Sequence, residues 1–334
     1  MKVFLRLLLM GLGLVFGALA LEVGLRCRTA YDNYRVQRAD EQKLSGKVMA
    51  GQIVKFNSNR KLVYDLRPNL EVEFMGVPVR TNAEGFRDAD HPLVTPAGQR
   101  RVIFLGDSNL FGWGVPYESC YERVAARQLP KWDCLNMGRP GYNAAQEVEC
   151  FRVYGLKYKP DVVVVNFISN DTQLPNYIQR SPVDLSASFL VDWLVGRLSR
   201  DTLLPPPPPP GHVSGPYKQE DDPARVPDQY KDLVGWEAVQ RSYQELAQLG
   251  RENHFRIVLL AFPMRDEIGL KYAREAGFEV CDFQPTLDQM MKERGLSELR
   301  NSELVLSPQD AHPGPAVHQA CGDFLAGWFQ KNFP

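Results

Sequence analysis

The chain has 334 residues, 44% of them hydrophobic, and a formal net charge of -1. This length suits one large domain with accessory segments and a sizeable core, which excludes a small disulfide-stapled scaffold, and the balanced charge gives no general attraction to nucleic acid. The six cysteines lack the paired spacing of a zinc site, so we expect no metal and no cofactor, while their pairing stays open.

The N-terminus carries an apolar run from Val3 to Leu21 that only Arg6 interrupts. Its 19 residues would form about 28 Å of helix, just enough to cross a membrane. The run has no polar face, which argues against a buried helix of a soluble domain. Residues 1–22 are therefore predicted to be an uncleaved signal anchor, although Ala-Leu-Ala at 18–20 also fits a signal-peptidase site.

The orientation of this anchor can be argued both ways. Four arginines follow the apolar run, at 26, 28, 35 and 38, and a count of positive charges would keep the body in the cytoplasm. The basic residues before the run and its likeness to a signal peptide favour export. We expect a membrane-anchored body on the extracytoplasmic side.

Two accessory segments precede the main domain. Residues 23–60 are polar and are predicted to form a juxtamembrane stalk that includes a helix. Residues 61–98 contain short apolar stretches that predict a small β-rich segment, with its strands broken at Pro68, Gly76 and Pro78.

From residue 99 to residue 334, strand patterns alternate with helix patterns, which predicts a parallel sheet with helices on both faces. The predicted strands are 102–105, 134–137, 161–168, 257–262 and 278–283. The predicted helices are about 119–129, 144–156, 236–252, 267–276, 286–294 and 315–329. A doubly wound α/β domain with about five parallel strands accounts for this pattern.

An insertion at 173–232 interrupts the alternation. Its six consecutive prolines, Pro205–Pro210, impose a stiff polyproline II segment. Before them, Phe189–Leu198 could form a short amphipathic element. A surface linker is the simpler interpretation, and a segment that covers the site or touches the membrane is the alternative.

The first strand of the sheet runs into Gly106-Asp107-Ser108. Open α/β sheets bind ligands outside the carboxyl ends of their strands, so Ser108 is a candidate nucleophile. Gly, Asp and Ser also end many strands for turn chemistry alone, and the assignment therefore depends on partners elsewhere in the chain.

Three later stretches could supply these partners. The loop 136–143 contains Gly141, where the backbone can approach a ligand closely. Ser169-Asn170-Asp171 follows the third strand, and Asp310 and His312 lie in a predicted loop before the last helix. His312 alone among five histidines combines a nearby acid with a loop position, which suits a general base for a serine.

These stretches resemble the sequence blocks of the SGNH, or GDSL-like, hydrolases. Gly106-Asp107-Ser108 matches the first block, Gly141 the second, Asn170-Asp171 the third, and Asp310 with His312 the fifth. The likeness runs from about Val79 to the C-terminus, apart from the insertion. The stretch 81–88 and the N-terminal anchor are similar to the large membrane-tethered bacterial group.

The resemblance implies a flavodoxin-like three-layer α/β/α sandwich and the chemistry of a serine hydrolase. It assigns the nucleophile to Ser108 and the general base to His312, with Asp310 as the orienting acid. It assigns the oxyanion hole to the Ser108 amide, the Gly141 amide and the Asn170 side chain. Only Ala311 separates the acid from the histidine, whereas the family usually has two intervening residues.

We expect a serine esterase that removes or transfers a small acyl group, such as an acetyl group, on an extracytoplasmic substrate. The resemblance alone makes a carbohydrate ester the expected substrate, since a fold does not fix the substrate. A lysophospholipid or other lipid ester is one alternative. A non-catalytic carbohydrate-binding or assembly protein on the same fold is another, and the oligomeric state stays open.

Other polar and aromatic residues are expected to have structural roles. Asp107 should brace its turn, Asp171 should accept backbone amides, and His318 should pack within the last helix. His91, His212 and His254 show no acid or serine context. Arg87 could reach the rim of the site, but it is expected to be solvated at the surface. Phe111, Trp113 and Tyr142 could line the pocket or pack in the core.

Overall fold

The computed structural model describes residues 2–39, 44–48, 50–178, 182–183, 188–198, 220–263 and 266–334. The predicted polyproline segment and His212 lie outside these residues. The helices are α1 Lys2–Ala39, α2 Ser108–Phe111, α3 Tyr121–Gln128, α4 Ala144–Cys150, α5 Phe189–Leu198, α6 Trp236–Asn253, α7 Glu267–Glu275, α8 Gln284–Glu293 and α9 Pro315–Asn332. The strands are β1 Lys47–Val48, β2 Val54–Phe56, β3 Tyr64–Leu66, β4 Glu71–Phe74, β5 Val77–Arg80, β6 Arg100–Leu105, β7 Trp132–Asn136, β8 Val162–Phe167, β9 Arg256–Ala261, β10 Glu279–Asp282, β11 Val305–Ser307 and β12 Asp310–Pro313.

A five-stranded parallel sheet with the order β7-β6-β8-β9-β10 forms the centre of the fold. Counted along the chain this order is 2-1-3-4-5, the order of flavodoxin-like doubly wound folds. Strand β8 is buried at every position, as expected for a strand that is covered on both faces. The predicted α/β fold with five parallel strands is confirmed.

Helices cover both faces of the sheet because its strands are apolar on both sides. Val102 and Phe104 of β6 pack in the layer that contains α3, α8 and α9. Ile103 and Leu105 alternate with them and pack in the opposite layer, with α4, α6 and α7. The six cysteines all lie within the described residues, and none of them forms a disulfide.

The sheet order places a crevice at the carboxyl ends of β6 and β8. The chain continues from β6 to β7 on one side and then crosses to β8 on the other, so the connections diverge at this point. Ligands of such sheets bind in the crevice that this divergence leaves. The turn 106–108 and the short helical turn Ser169–Thr172 both open into it.

The β-rich segment before the main sheet begins earlier than predicted, at β1 within the predicted stalk, and it forms two small sheets. Strands β2 and β3 pair antiparallel, and β1, β4 and β5 form a three-stranded sheet. The predicted break at Pro78 is wrong, because β5 runs through it with Pro78 opposite Glu73. Proline is compatible with this position because β5 is an edge strand, where a missing N–H need not interrupt a ladder.

A buried ion pair joins this β-rich segment to the main domain. The Arg139 guanidinium, whose side chain is 0% exposed, donates to the Asp65 carboxylate, which is 7% exposed. The guanidinium also lies over the Phe86 and Tyr154 rings, at 4.6 Å and 4.8 Å from their centroids.

Hydrogen bonds beside this ion pair fix the loop that follows β7. The Tyr64 hydroxyl donates to the Pro140 carbonyl at 2.8 Å, and the Tyr142 hydroxyl donates to the Tyr64 carbonyl at 2.5 Å. The loop that contains Gly141 is thus held from the side of the β-rich segment.

Helix α1 is long, and its N-terminal half is exposed and apolar. It continues without a break from the predicted anchor into the predicted stalk. Val3 and Phe16, for example, are 70% and 75% exposed. In the part of the chain that the structure describes, α1 is the one helix whose length and composition would allow it to cross a membrane.

We predict that Asp65→Asn lowers the free energy of unfolding by roughly 3–5 kcal/mol, because it leaves a buried guanidinium without its counter-charge. The matched control is Asp232→Asn, which breaks the exposed pair with Arg60 and should cost about 0–1 kcal/mol. Urea unfolding of the full chain in detergent measures both values. Equal losses in the two variants would contradict a structural role for the buried pair.

Candidate active site

Ser108 lies where the strand β6 gives way to the short helix α2. The Asp107 carboxylate caps this helix by accepting a hydrogen bond from the Asn109 amide at 2.9 Å. Ser108 is the first residue of α2, so its own N–H has no acceptor within the helix. The serine is 7% exposed, which leaves its hydroxyl within the crevice and close to the surface.

The His312 ring contacts both the serine and an acid. Its Nε2 lies 2.8 Å from Ser108 Oγ, and its Nδ1 lies 2.5 Å from Asp310 Oδ1. With a proton on Nδ1 that is donated to Asp310, Nε2 presents a lone pair to the serine hydroxyl. This arrangement can move the hydroxyl proton onto the imidazole.

A short hairpin explains how an acid two positions before the histidine reaches its ring. The segment predicted to be a loop is the strand β12, which pairs antiparallel with β11. Alternate residues of a strand point to the same side, so Asp310 and His312 project together. The single intervening residue, Ala311, is therefore compatible with the contact.

Trp113 holds both members of this pair. Its indole N–H donates to Asp310 Oδ2 at 3.0 Å, and its ring stacks on the His312 ring at 5.2 Å with an interplanar angle of 17°. Sequence reasoning left Trp113 between pocket lining and core packing and missed this contact. No sequence signal connects a tryptophan after α2 with an acid 197 residues later.

The Asp310 carboxylate is stabilised in its ionised form. Burial by itself would raise the pKa of Asp310, but hydrogen bonds from the His312 ring, the His312 amide and the Trp113 indole lower it below its usual value. Asp310 is therefore ionised at neutral pH, where it can stabilise a positive charge on the imidazole.

Asp107 connects Ser108 with Asn170. Its Oδ2 accepts from Ser108 Oγ and from Asn170 Nδ2, each at 3.0 Å. Since the serine has one proton, it can donate to His312 or to Asp107 at a given moment, but not to both. The Asn170 amide has a second N–H, which this contact does not use.

Gly141 lies in the loop after β7. Its φ of +77° is in the left-handed region, which favours glycine. A Cβ at this position would also lie 2.4 Å from the side-chain nitrogen of Asn176, a residue that follows β8. Both constraints favour glycine at this position.

Two buried carboxyl groups, those of Asp171 and Glu147, lie in or near the turn that contains Asn170. Asp171 accepts a hydrogen bond from the Ile168 amide at 2.9 Å and so closes the turn. Glu147 on α4 is 1% exposed, and neither of its carboxyl oxygens has a hydrogen-bond partner among the described residues. Burial, and then the neighbouring carboxyl groups of Asp171 and Asp107, raise the pKa of Glu147 well above its usual range, and burial raises the pKa of Asp171 as well.

Three of the expected structural roles, those of Asp107, Asp171 and His318, agree with the structure, and those of His91 and Arg87 do not. Buried His318 accepts from the Tyr121 amide, and burial lowers its pKa to about 3. His91 was expected to lack an acid partner, but its ring lies between Asp88 and Asp133, at 3.2 Å and 2.7 Å. These contacts connect the linker before β6 with β7.

Arg87 was expected at the surface but is 1% exposed. It donates to the carbonyl oxygens of Phe111, Gly112 and Val115, at 2.7–2.9 Å. These carbonyls belong to the end of α2 and to the turn that carries Trp113. Arg87 therefore holds the backbone of the turn that carries Trp113. A single basic residue in a turn-rich stretch of sequence does not reveal this role.

In comparisons with known proteins, the chain is similar to solved structures but matches no family model and no curated protein. An acetyl xylan esterase is 15% identical with a TM-score of 0.42, over 68% of this chain and 98% of that one. A member of the lipolytic protein G-D-S-L family from Veillonella parvula is 13% identical with a TM-score of 0.39, over 70% and 98%.

A lipase/acylhydrolase from Enterococcus faecalis is 14% identical with a TM-score of 0.40, over 70% of this chain and 96% of that one. The solved structures include members of the hydrolase group whose motifs the sequence resembles. At identities this low, the role of each residue has to come from the geometry of this chain.

We predict that Glu147 makes stability fall as the pH rises. The carboxyl is protonated in the folded protein and ionised in the unfolded chain above about pH 4.3, so unfolding releases a proton. Relative to Glu147→Gln, the wild type should therefore lose free energy of unfolding between pH 5.5 and 8, by up to about 1.4 kcal/mol for each pH unit.

The control for this measurement lies on the same helix. Hydrogen bonds from Arg152 and Asn59 outweigh burial and lower the pKa of Glu149. Glu149 is therefore ionised in both states above about pH 5, and Glu149→Gln should shift stability by a constant amount across the window. Parallel curves for wild type and Glu147→Gln in urea unfolding would contradict a protonated Glu147.

Proposed function

We propose that this chain is a serine esterase that forms a covalent acyl intermediate on Ser108. The proposal is based on the continuous contacts from Ser108 Oγ through the His312 ring to Asp310. A serine hydroxyl is a weak nucleophile without a base, and His312 Nε2 lies within reach of its proton. Asp310 orients the ring and stabilises the imidazolium that forms.

The reaction proceeds in two steps on this geometry. Ser108 Oγ attacks the carbonyl carbon of an ester while its proton moves to His312 Nε2, which gives a tetrahedral intermediate. His312 then returns the proton to the leaving alcohol, and an acyl-serine remains. Water or another hydroxyl compound then gives its proton to His312 and attacks the acyl-serine. The bond between the acyl carbon and Ser108 Oγ breaks, His312 returns the proton to Ser108 Oγ, and the acid or a new ester is released.

The proposed oxyanion hole consists of the Ser108 amide, the Gly141 amide and the Asn170 side chain. All three are uncharged donors, and each would stabilise the developing negative charge by roughly 3–4 kcal/mol. Asn170 reaches this role through Asp107, which accepts one N–H of its amide and thereby orients the other. Asp107 also gives the serine hydroxyl a second acceptor while His312 is protonated.

We propose a small acyl group, such as acetyl, on a carbohydrate or a related compound as the substrate. The resemblance of the sequence motifs supports this choice, and the half-buried Trp113 ring beside the serine provides an apolar wall for the acyl or sugar group. A lipid ester is the second candidate, favoured by the apolar helix α1. An acyl-ester panel that includes acetylated sugars and lysophospholipids separates the two.

We also propose that α1 anchors the protein in a membrane, with the body on the extracytoplasmic side. The apolar side chains of residues 3–21, apart from Ala18, are exposed, which is unfavourable in water and favourable in lipid. Export is supported by the basic residues before the apolar run.

We predict that Ser108→Ala lowers ester hydrolysis at least about 10³-fold and abolishes covalent labelling by a fluorophosphonate. Ser119→Ala, which changes a half-buried serine outside the proposed site, serves as the control and should retain both. Hydrolysis of p-nitrophenyl acetate and gel detection of the label measure the two effects. Labelling that persists in folded Ser108→Ala would show that the nucleophile is another residue.

We predict that Trp113→Phe lowers kcat about 5- to 30-fold with little change in KM. The phenyl ring still stacks on His312, but the variant loses the N–H that donates to Asp310. The loss of this hydrogen bond raises the activation free energy by about 1–2 kcal/mol. Trp328→Phe, on α9, is the matched control. An unchanged kcat would mean that Asp310 keeps its position without the indole.

The orientation of the body can be tested with a reporter fused to the C-terminus. A reporter enzyme that becomes active only after export should be active when it is fused there. Activity that appears only with a cytoplasmic reporter would place the body on the other side of the membrane.

A further inference from the structure

The insertion is attached to the anchor helix through a carboxylate. Glu22 of α1 accepts hydrogen bonds from the amides of Phe189 and Leu190 at 3.1 Å and 2.7 Å, and from Ser188 Oγ at 3.0 Å. The first amides of a helix have no acceptor within it, so Glu22 caps the N-terminus of α5 from another helix.

Arg26 strengthens this attachment one turn further along α1. Its guanidinium pairs with Glu22 at 2.7 Å, donates to the Pro182 carbonyl at 3.0 Å and lies 4.5 Å from the centroid of the Phe189 ring. Phe189 is 5% exposed. The half-buried positions of α1 among the described residues follow one face, and they are Ala18, Glu22, Leu25, Arg26, Thr29 and Asn33.

The position of Glu22 fixes the depth of α5 relative to the apolar run. Glu22 is the first charged residue after the run that ends at Leu21, and a carboxylate in this position lies at the boundary of the lipid. The half-buried face of α1 begins at Ala18, which lies inside the apolar run. Helix α5 therefore begins at the level of the membrane surface.

The exposed face of α5 has the chemistry of a membrane surface contact. Val191, Trp193 and Leu194 are 55%, 38% and 43% exposed, although seven of the ten residues of α5 are apolar. Arg197 lies over the Trp193 ring at 4.8 Å, which places a cation next to an aromatic ring. Tryptophan and arginine are favoured where hydrocarbon meets lipid headgroups.

We propose that α5 is a second membrane contact, which lies at the bilayer surface beside α1 with Val191, Trp193 and Leu194 in the lipid. The occupant of this apolar face is the lipid bilayer, because the face is continuous with the anchor helix at the depth where lipid begins. The inference rests on the proposed insertion of α1 in a membrane and does not depend on esterase activity.

The insertion that contains α5 begins and ends beside the turn of Asn170. Its two ends meet where the Leu174 amide donates to the Glu220 carbonyl at 2.8 Å, and the Gly235 amide donates to the Thr172 carbonyl at 2.7 Å. Thr172 ends the turn that contains Asn170.

Tryptophan fluorescence of the full chain in vesicles tests the proposal. The vesicles contain phosphatidylcholine and phosphatidylglycerol with or without bromine on the acyl chains. We expect bromine to quench an emission component that is present in wild type and lost in Trp193→Phe. Trp328→Phe, which changes the half-buried tryptophan of α9, should retain this component.

A second variant separates lipid contact from other effects of the substitution. Val191→Asp with Leu194→Asp should shift the Trp193 emission to longer wavelength and abolish its quenching. Val94→Asp, at an 81% exposed valine in the linker before β6, should change neither. Both variants should keep the urea unfolding midpoint of the wild type, which reports that they are folded.

Extraction with alkaline carbonate distinguishes the possible failures. Full chain that stays in the membrane while Trp193 is unquenched would overturn the contact of α5 and leave the anchor intact. Release of the chain by carbonate would contradict the anchor and this proposal together. Cross-linking between α5 helices of two copies, without quenching, would assign the face to a dimer and overturn the proposal.

Discussion

The contact between His312 Nε2 and Ser108 Oγ joins two parts of the chain that are 204 residues apart. Both atoms lie within hydrogen-bond distance because the parallel sheet ends at one edge and because the hairpin before α9 folds back over that edge. A shift of either element by about 1 Å would weaken proton transfer. Several contacts around the crevice fix the residues that set this distance.

The supports come from three directions. Trp113 holds the His312–Asp310 pair, and Arg87 holds the turn that carries Trp113. Asp107 connects the serine with Asn170. The Asp65–Arg139 pair fixes the loop of Gly141 from the β-rich segment, which connects that segment with the proposed oxyanion hole. Buried polar groups of this kind are costly unless paired, and here their pairing sets positions that the proposed chemistry needs.

The sequence predicted the sheet well because each central strand is an apolar run with turn residues after it, as at β8. It also predicted that Ser108 and Asn170 lie at one edge of the sheet, because polar residues after such strands meet there, while the catalytic roles of Ser108, Gly141, Asn170 and His312 stay predictions. It missed the strand β12, whose two polar residues alternate with Ala311 and Pro313 and resemble a loop. The roles of Trp113, Arg87 and Arg139 were not predictable, because each depends on partners far away in the chain.

The central claim is that Ser108 becomes acylated during turnover. Acid quenching of the full chain within milliseconds of mixing with an acetyl ester, followed by peptide mass analysis, tests it most directly. We expect an acetyl group on the peptide that contains Ser108, and its loss in Ser108→Ala. Turnover with no acyl group on this peptide, or with the acyl group on another residue, would show that Ser108 is not the nucleophile.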